Sequence, residues 1–215
     1  MIIAAINESP IDNRVAITPN VVKQYNKLEL QVHCEINAGE KAGFANEFYL
    51  NAGAQVIANR EDLLKHTNIL VTVSEPKPEN LVGLCPKALV ISHIENFESS
   101  PLIQWALQEK MSLFSMNLIP RISRAQNIDS LSSQANLAGY RAVLEGIHHF
   151  NRAIPMMMTA AGMIQPAKIL VLGAGVAGLQ AIATAKRLGA VVYAFDVRRA
   201  AKEQVESLGA EFIEV

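Results

Sequence analysis

The chain has 215 residues, of which half are apolar and 18% are charged, and its formal net charge at pH 7 is −1. This balance favours a folded core over disorder, and without a basic run the chain is not expected to bind nucleic acid. The two cysteines, Cys34 and Cys85, stand alone in the sequence, as in proteins of a reducing compartment. The sequence has no Cys-x-x-Cys or His-x-x-x-His spacing, which would indicate a metal site.

Strands and helices alternate through the first 116 residues. Between the predicted strands lie helices at about residues 19–28, 47–51, 60–66 and 101–109. Such alternation predicts a parallel sheet with helices on both faces. The first strand has no basic flank and is no signal peptide, and the apolar stretch over residues 153–185 is interrupted by polar residues, proline and glycines. Since that stretch is not expected to span a membrane, we expect a soluble chain. The predicted strands cover residues 1–6, 31–36, 54–58, 69–73, 88–93 and 112–116.

The alternation stops after residue 116. Residues 117–129 are polar and irregular, and a long helix follows at about residues 132–150. We place the domain boundary at this helix, with one domain over residues 1–131 and the other over residues 132–215. Three successive methionines, Met156 to Met158, come next. We favour adaptable packing for them, and a hairpin that packs against a second subunit is the alternative.

The second domain begins with a strand and a glycine-rich turn. Residues 168–172 are apolar apart from Lys168, as in a strand buried on both faces of a parallel sheet. The motif Gly173-x-Gly175-x-x-Gly178 follows, ahead of a helical run. In a dinucleotide fingerprint the first glycine allows a tight turn, the second lets a diphosphate approach the backbone, and the third lets the helix pack on the strand.

An acid completes the pattern. The next predicted strand, residues 190–195, ends at Asp196, about 20 residues after Gly173, where an acid accepts hydrogen bonds from the adenosine ribose. A solvated strand-end charge is the plain alternative. With a helix at residues 200–207 and a strand at 210–215, only the first of two mononucleotide halves is present. The sequence therefore predicts an α/β protein with two Rossmann-like, doubly wound parallel-sheet domains joined by the long helix. The second domain is truncated, as in a piece of a longer product.

The residues after Asp196 bear on the choice between NAD and NADP. Val197, Arg198 and Arg199 follow, and arginines at this place can accept the 2′-phosphate of NADP. Asp196 would repel that phosphate at short range, so the sequence favours NAD. Arg198 is then expected either to lie along the adenosine or to be solvated.

Several segments together resemble one protein family. They resemble the NAD(H)-binding alpha component of the proton-translocating nicotinamide nucleotide transhydrogenases, in the alanine dehydrogenase/transhydrogenase family. The similarity covers the whole chain, and the stretch that begins at Pro120 is the most specific part of it. The segments are PRISRAQNIDSLSSQANLAGYRA from Pro120, TAAG from Thr159, GAGVAGLQAIATAKRLGA from Gly173, KEQVESLGAEF from Lys202 and RVAITP from Arg14.

This resemblance implies hydride transfer between NAD(H) on this chain and NADP(H) on a partner domain, coupled to proton movement by a membrane domain. It also implies a homodimer at the cytoplasmic face of the inner membrane, bound there peripherally. Since the coenzymes carry the chemistry, no catalytic acid or base is expected from the chain. A chain of this length is expected to be inactive by itself.

The site residues follow from the same resemblance. Arg121, Gln126, Asp129 and Ser132 match the family's contacts on the nicotinamide side. A glutamine can satisfy both polar groups of a carboxamide, and Arg121 can pair with Asp129. The plain alternative is an exposed loop tied down by that pair, with Ser132 as the cap of the long helix. The other expected cofactor-binding residues are Gly173, Gly175, Val176, Gly178, Asp196, Val197 and Arg198.

Two other functions stay open. Alanine dehydrogenases of the same family use an arginine, a lysine and a histidine of the first domain, and Arg14 and His93 match two of these. Ser74 stands in the lysine's place, which removes the proton donor to the substrate carbonyl. His93 alone is more typical of a strand-end histidine with a backbone partner. A non-catalytic fragment that binds NAD or forms dimers is the third possibility.

Overall fold

A computed structural model describes residues 1–95 and 97–214. These residues form two compact units, one from Met1 to Ala125 and one that begins at Gln126. The division falls inside a short 3-10 helix, Ser123–Ile128. It lies a few residues ahead of the place where the sequence analysis sets the boundary.

The first unit contains a six-stranded, fully parallel sheet. Its order, β3-β2-β1-β4-β5-β6, is that of a doubly wound α/β domain, so the predicted fold class is confirmed for this unit. The strands are β1 (Ile2–Ala5), β2 (Gln31–Glu35), β3 (Gln55–Ile57), β4 (Ile69–Val71), β5 (Leu89–Ser92) and β6 (Ser112–Ser115). The helices are α1 (Pro19–Lys27), α2 (Asn46–Asn51), α3 (Arg60–Lys65) and α4 (Pro101–Glu109).

Strand β1 supplies side chains to the cores on both faces of this sheet. Ile3 and Ala5 belong to the cluster that includes Val22 of α1, whereas Ala4 belongs to the cluster that includes Leu63 of α3. Successive side chains of a strand point to opposite faces, so a central strand with helices on both sides is apolar throughout.

The second unit has the strand, turn, helix and strand that the fingerprint predicts. Three parallel strands form its sheet in the order β11-β10-β9. The last residue of the predicted final strand, Val215, lies outside the described residues. The elements are α5 (Ser130–His148), β7 (Met157–Thr159), β8 (Gly162–Ile164), β9 (Lys168–Leu172), α6 (Val176–Arg187), β10 (Val191–Phe195), α7 (Lys202–Ser207) and β11 (Glu211–Phe212).

Strand β9 is not buried on both faces, so that prediction is wrong. Leu170 and Leu172 are 53% and 74% exposed, while Ile169 and Val171 pack against the core of the unit. The strand lies at the edge of its sheet, and the described residues cover only one of its faces. An apolar run predicts that both faces of a strand are buried by other elements, but it does not identify those elements.

Strands β7 and β8 pair as an antiparallel hairpin. All six of their residues are exposed, and Met158 has 74% of its surface exposed. None of the three methionines is buried among the described residues. The hairpin of the alternative is present, and its contact with a second subunit stays a prediction.

Helices α5 and α6 pack against each other at unusually short distance. A Cβ atom on Gly139 of α5 would lie 2.0 Å from the carbonyl oxygen of Ala177 in α6. The long helix is thereby held against the helix that follows the glycine turn. Among residues 1–95 and 97–214, no helix is long and apolar enough to cross a bilayer, α5 included.

Candidate functional site

The glycine turn joins β9 to α6 at the carboxyl end of the second sheet. Gly173 has a φ of +94°, a left-handed conformation that other residues rarely adopt, and its N–H donates to the carbonyl of Phe195 at 2.8 Å. A Cβ on Gly175 would meet nothing within 4 Å, so the space beside it is open. The first N–H groups of α6, from Val176 onward, have no acceptor within the helix. The turn therefore presents N–H donors and a positive helix end beside open space.

Gly178 fixes the distance between the helix and the turn. A Cβ there would lie 1.8 Å from the carbonyl oxygen of Gly173 and 3.6 Å from Cγ1 of Val171. Only glycine allows this contact. The close packing expected of the third glycine is confirmed, and the neighbouring group is the backbone of the turn itself.

Asp196 is hydrogen-bonded to the glycine turn. Its side chain is 5% exposed, and its Oδ2 accepts from the N–H of Ala174 at 2.7 Å and from Nη2 of Arg198 at 3.1 Å. Its Oδ1 accepts from the N–H and the Nε of Arg198 at 2.8 and 3.0 Å. The acid that the sequence selects as a ribose acceptor thus also holds the turn in place.

These donors keep Asp196 ionised. The Arg198 side chain has the largest effect, followed by the N–H groups of Arg198 and Ala174, and together they hold the pKa of Asp196 far below its ordinary value. A permanent anion at this position repels a phosphate. Val197, next to it, is exposed.

The residues expected on the nicotinamide side fall in both units. Arg121 is exposed in the first unit, and Gln126 is exposed at the start of the second. Asp129 is the N-cap of α5, since its carboxylate accepts from the N–H of Ser132 at 2.9 Å and from its Oγ at 2.6 Å. The cap of the long helix is therefore Asp129, and Ser132 is its donor. The pairing of Arg121 with Asp129 stays a prediction.

A groove of about 580 Å³ in the second unit brings Ser132 together with Val176. Its walls come from α5, α6 and α7. Two residues chosen from separate motifs therefore share one surface. The other hydroxyl and amide side chains that line the groove are Ser133, Asn136, Gln180, Gln204 and Ser207.

Polar residues also meet in the first unit, at the carboxyl ends of β1 and β4, where a doubly wound sheet reverses its strand order and ligands commonly bind. Here Glu8 accepts from the N–H groups of Val73 and Ser74, both at 2.8 Å, and burial raises the pKa of Glu8. The Nδ1 of His93 lies 2.9 Å from the carbonyl oxygen of Val73, as expected of a strand-end histidine.

Arg14 of this crevice already has a carboxylate partner. Its Nη2 lies 2.6 Å from Oδ2 of Asp12, and the guanidinium lowers the pKa of Asp12 to about 2. Ser74 Oγ donates to the same oxygen at 3.1 Å. An arginine matched in this way is a poor receptor for a substrate carboxylate. Glu8 and Asp12 were not predicted from the sequence. The Asp-x-Arg spacing was a usable signal for Asp12, whereas Glu8 meets its partners Val73 and Ser74 only in the folded chain.

Comparison with known protein families shows to which family the chain belongs. Residues 5–138 match the family described as the alanine dehydrogenase/PNT N-terminal domain, and residues 142–215 match its C-terminal domain. The chain belongs to the alanine dehydrogenase/PNT family. The loop after Pro120 lies inside the first match, and the glycine fingerprint lies inside the second.

Within the alanine dehydrogenase/PNT family the chain is more similar to transhydrogenases than to alanine dehydrogenases. An NAD(P) transhydrogenase subunit alpha protein from Rhodospirillum rubrum is 46% identical over 211 residues, which cover 96% of this chain and 55% of the relative. Alanine dehydrogenase from Bacillus subtilis is 27% identical over 200 residues, which cover 92% and 52%. The transhydrogenase structure from Sinorhizobium meliloti superposes with a TM-score of 0.94 and 46% identity, over the whole of this chain and 64% of that one. The chain thus spans about half the length of the sequence relatives it matches.

Proposed function

We propose that this chain is the NAD(H)-binding part of a proton-translocating NAD(P) transhydrogenase, which passes hydride between NAD(H) and NADP(H). The hydrogen bond between Asp196 and the N–H of Ala174 carries the proposal, because it fixes a ribose acceptor beside a turn suited to a diphosphate. The 46% identity to a transhydrogenase alpha subunit supports this reaction over amino-acid oxidation. The pairing of Arg14 with Asp12 supports the same choice.

The turn and the strand end would hold the adenosine and diphosphate half of the coenzyme. Gly175 and Val176 provide backbone N–H donors and space for the diphosphate, and Gly173 gives the turn its left-handed bend. Gly178 keeps α6 close enough for its positive end to act on the diphosphate. Asp196, with Val197 and Arg198 beside it, faces the ribose.

At the other end, Gln126, Asp129 and Ser132 would orient the nicotinamide ring, together with Arg121. The Asp129 carboxylate is held in place by two bonds from Ser132, which keeps that acceptor in one orientation. Bound NAD(H) supplies the hydride itself. These residues need only hold the ring about 3–3.5 Å from its acceptor and exclude water, and no acid or base of this chain takes part.

NAD rather than NADP is the expected coenzyme. The 2′-phosphate of NADP carries close to two negative charges, and the buried carboxylate of Asp196 would face it at short range. NADP(H) is proposed to bind to a partner domain instead. A further partner would be a membrane domain that moves protons, with this chain bound peripherally at the cytoplasmic face of the inner membrane.

We also propose a homodimer that forms through the β7–β8 hairpin. Met157, Met158 and Met163 are each about half exposed or more, and exposed apolar surface of this kind is typical of a subunit contact. Light scattering should give the mass of a dimer for the wild type and of a monomer for Met158→Asp. A wild-type monomer would contradict this part of the proposal.

Calorimetric titration with NADH and NADPH, followed by stopped-flow hydride transfer, tests the main proposal. We expect NADH to bind and NADPH to bind at least about tenfold more weakly. Hydride transfer should appear only when the partner subunits are present. Alanine-dependent reduction of NAD would support an alanine dehydrogenase instead, and NADH binding without transfer in the assembled complex would leave a non-catalytic NAD-binding chain.

A further inference from the structure

The hydrogen bonds to Asp196 use all the acceptor positions of its carboxylate. A carboxylate offers about four lone-pair sites. The N–H groups of Ala174 and Arg198 occupy two of them, and the Nε and Nη2 of Arg198 occupy the others. A ribose that approaches Asp196 therefore meets an acceptor that is already saturated.

Two of the four bonds are easier to displace than the others. The backbone bonds belong to the glycine turn and to the end of β10, so their loss would disturb both. The Arg198 side chain is 64% exposed, and water can solvate its guanidinium when it leaves. The 2′- and 3′-hydroxyls of a ribose offer two O–H donors, which replace the two N–H donors that Arg198 withdraws.

We propose, on the basis of the function proposed above, that Arg198 is an intramolecular competitor of the coenzyme's adenosine ribose. Its guanidinium occupies Asp196 in the unliganded protein and swings out when the ribose hydroxyls bind. Arg198 is then a residue that lowers the affinity for NAD(H), although it lies beside the bound coenzyme.

The same side chain affects the choice between the two coenzymes. Once displaced, the guanidinium remains tethered two residues from Asp196, and its charge offsets part of the repulsion between that acid and a 2′-phosphate. Its removal leaves the carboxylate uncompensated. Loss of Arg198 should therefore shift the affinities for NADH and NADPH in opposite directions.

Calorimetric titration of three proteins tests this inference: the wild type, Arg198→Ala and Arg199→Ala. Arg199 is the matched control, since it has the same charge, is adjacent and is exposed. We expect Arg198→Ala to bind NADH about threefold more tightly and NADPH about threefold more weakly than the wild type, the size typical of one ion pair whose cation is exposed. Arg199→Ala should not give opposite shifts. Arg198→Lys, which can pair but not in a bidentate manner, should fall between the wild type and Arg198→Ala.

Truncated ligands identify the group that competes. The affinity for AMP should rise in Arg198→Ala by the same factor as the affinity for NADH, whereas the affinity for 2′,3′-dideoxy-AMP should not change. Unchanged or weaker NADH binding to Arg198→Ala, or an equal gain in affinity for the two nucleotides, would overturn the inference. The proposed function would still stand in that case, provided that the wild type binds NADH. Failure of NADH to bind any of the proteins would reject both.

Discussion

Gly139 in α5 lies directly against the carbonyl group of Ala177 in α6, so that a Cβ on residue 139 would be 2.0 Å from that oxygen. Ala177 is in the first turn of α6, immediately after the glycine turn. The helix capped by Asp129 and the helix that begins at Val176 are therefore held together at a position without a side chain. Both helices also line the groove that contains Ser132 and Val176.

Gly139→Ala should destabilise the protein by about 1–3 kcal/mol, because the added methyl group forces the two helices apart. Gly146→Ala is the matched control in the same helix, since a Cβ at Gly146 would meet nothing within 4 Å. Alanine there should stabilise the helix by about 0.5–1 kcal/mol. Urea denaturation of both variants gives the comparison, and equal effects at the two positions would contradict the packing argument.

Substitutions at two glycines of the turn should affect the free energy of unfolding and the affinity for NADH differently. Gly178→Ala places a methyl group 1.8 Å from the carbonyl oxygen of Gly173, so both the free energy of unfolding and NADH binding should fall. Gly175→Ala meets no protein atom within 4 Å and fills the space proposed for the diphosphate. Its free energy of unfolding should change by less than about 1 kcal/mol, with NADH affinity reduced about tenfold or more. Normal NADH binding to Gly175→Ala would show that the diphosphate lies elsewhere.

The pH dependence of stability should depend on Asp196. Its pKa is far lower in the folded protein than its ordinary value, so its stabilising effect is present above the ordinary pKa and is lost as the pH falls towards the folded-state pKa. The wild type should therefore exceed Asp196→Asn in free energy of unfolding at pH 7, and the gap should narrow below about pH 4. Denaturation curves between pH 3 and pH 7 measure this gap. A gap that does not change with pH would mean that the carboxylate charge contributes nothing.

Asp129→Asn should keep the start of α5 intact, because asparagine is as good an N-cap as aspartate. Asp129→Ala, in contrast, should lower the free energy of unfolding by about 1 kcal/mol. If Asp129 and Gln126 orient the nicotinamide, Asp129→Asn and Gln126→Asn should slow hydride transfer about tenfold or more, with little change in the Kd for NADH. Stopped-flow transfer in the assembled complex checks the rate, and calorimetry checks the Kd. Wild-type rates in both variants would remove these two residues from the site.

The parts of the structure that follow from local chemistry were predictable from the sequence. The doubly wound first sheet follows from the alternation of strands and helices, and the turn follows from the special backbone of Gly173 and the close contact of Gly178. Asp196 could be placed at a strand end because a strand that leaves the core is followed by a polar residue. Its bond to Ala174 could not be predicted, because it joins the ends of neighbouring strands.

Features that depend on what surrounds an element were not predictable. Leu170 in β9 and Met158 in the hairpin are apolar, but burial is decided by neighbouring elements and not by the residue itself. Arg198 was recognised as a charge beside Asp196, yet its double contact requires a side-chain conformation that spacing does not specify. The plain alternative made Ser132 the cap of α5, because the predicted helix began at about residue 132, whereas the helix begins at Ser130 with Asp129 as its cap.

The open edge of β9 has a thermodynamic consequence for the turn that follows it. Leu172, the last residue of the strand, is joined directly to Gly173, so any segment that adds a further strand along this edge also restrains the glycine turn. Ordering of the strand and ordering of the turn are then linked equilibria, in which each lowers the entropic cost of the other. By reciprocity, a ligand that settles in the turn strengthens the attachment of that added strand by the same factor.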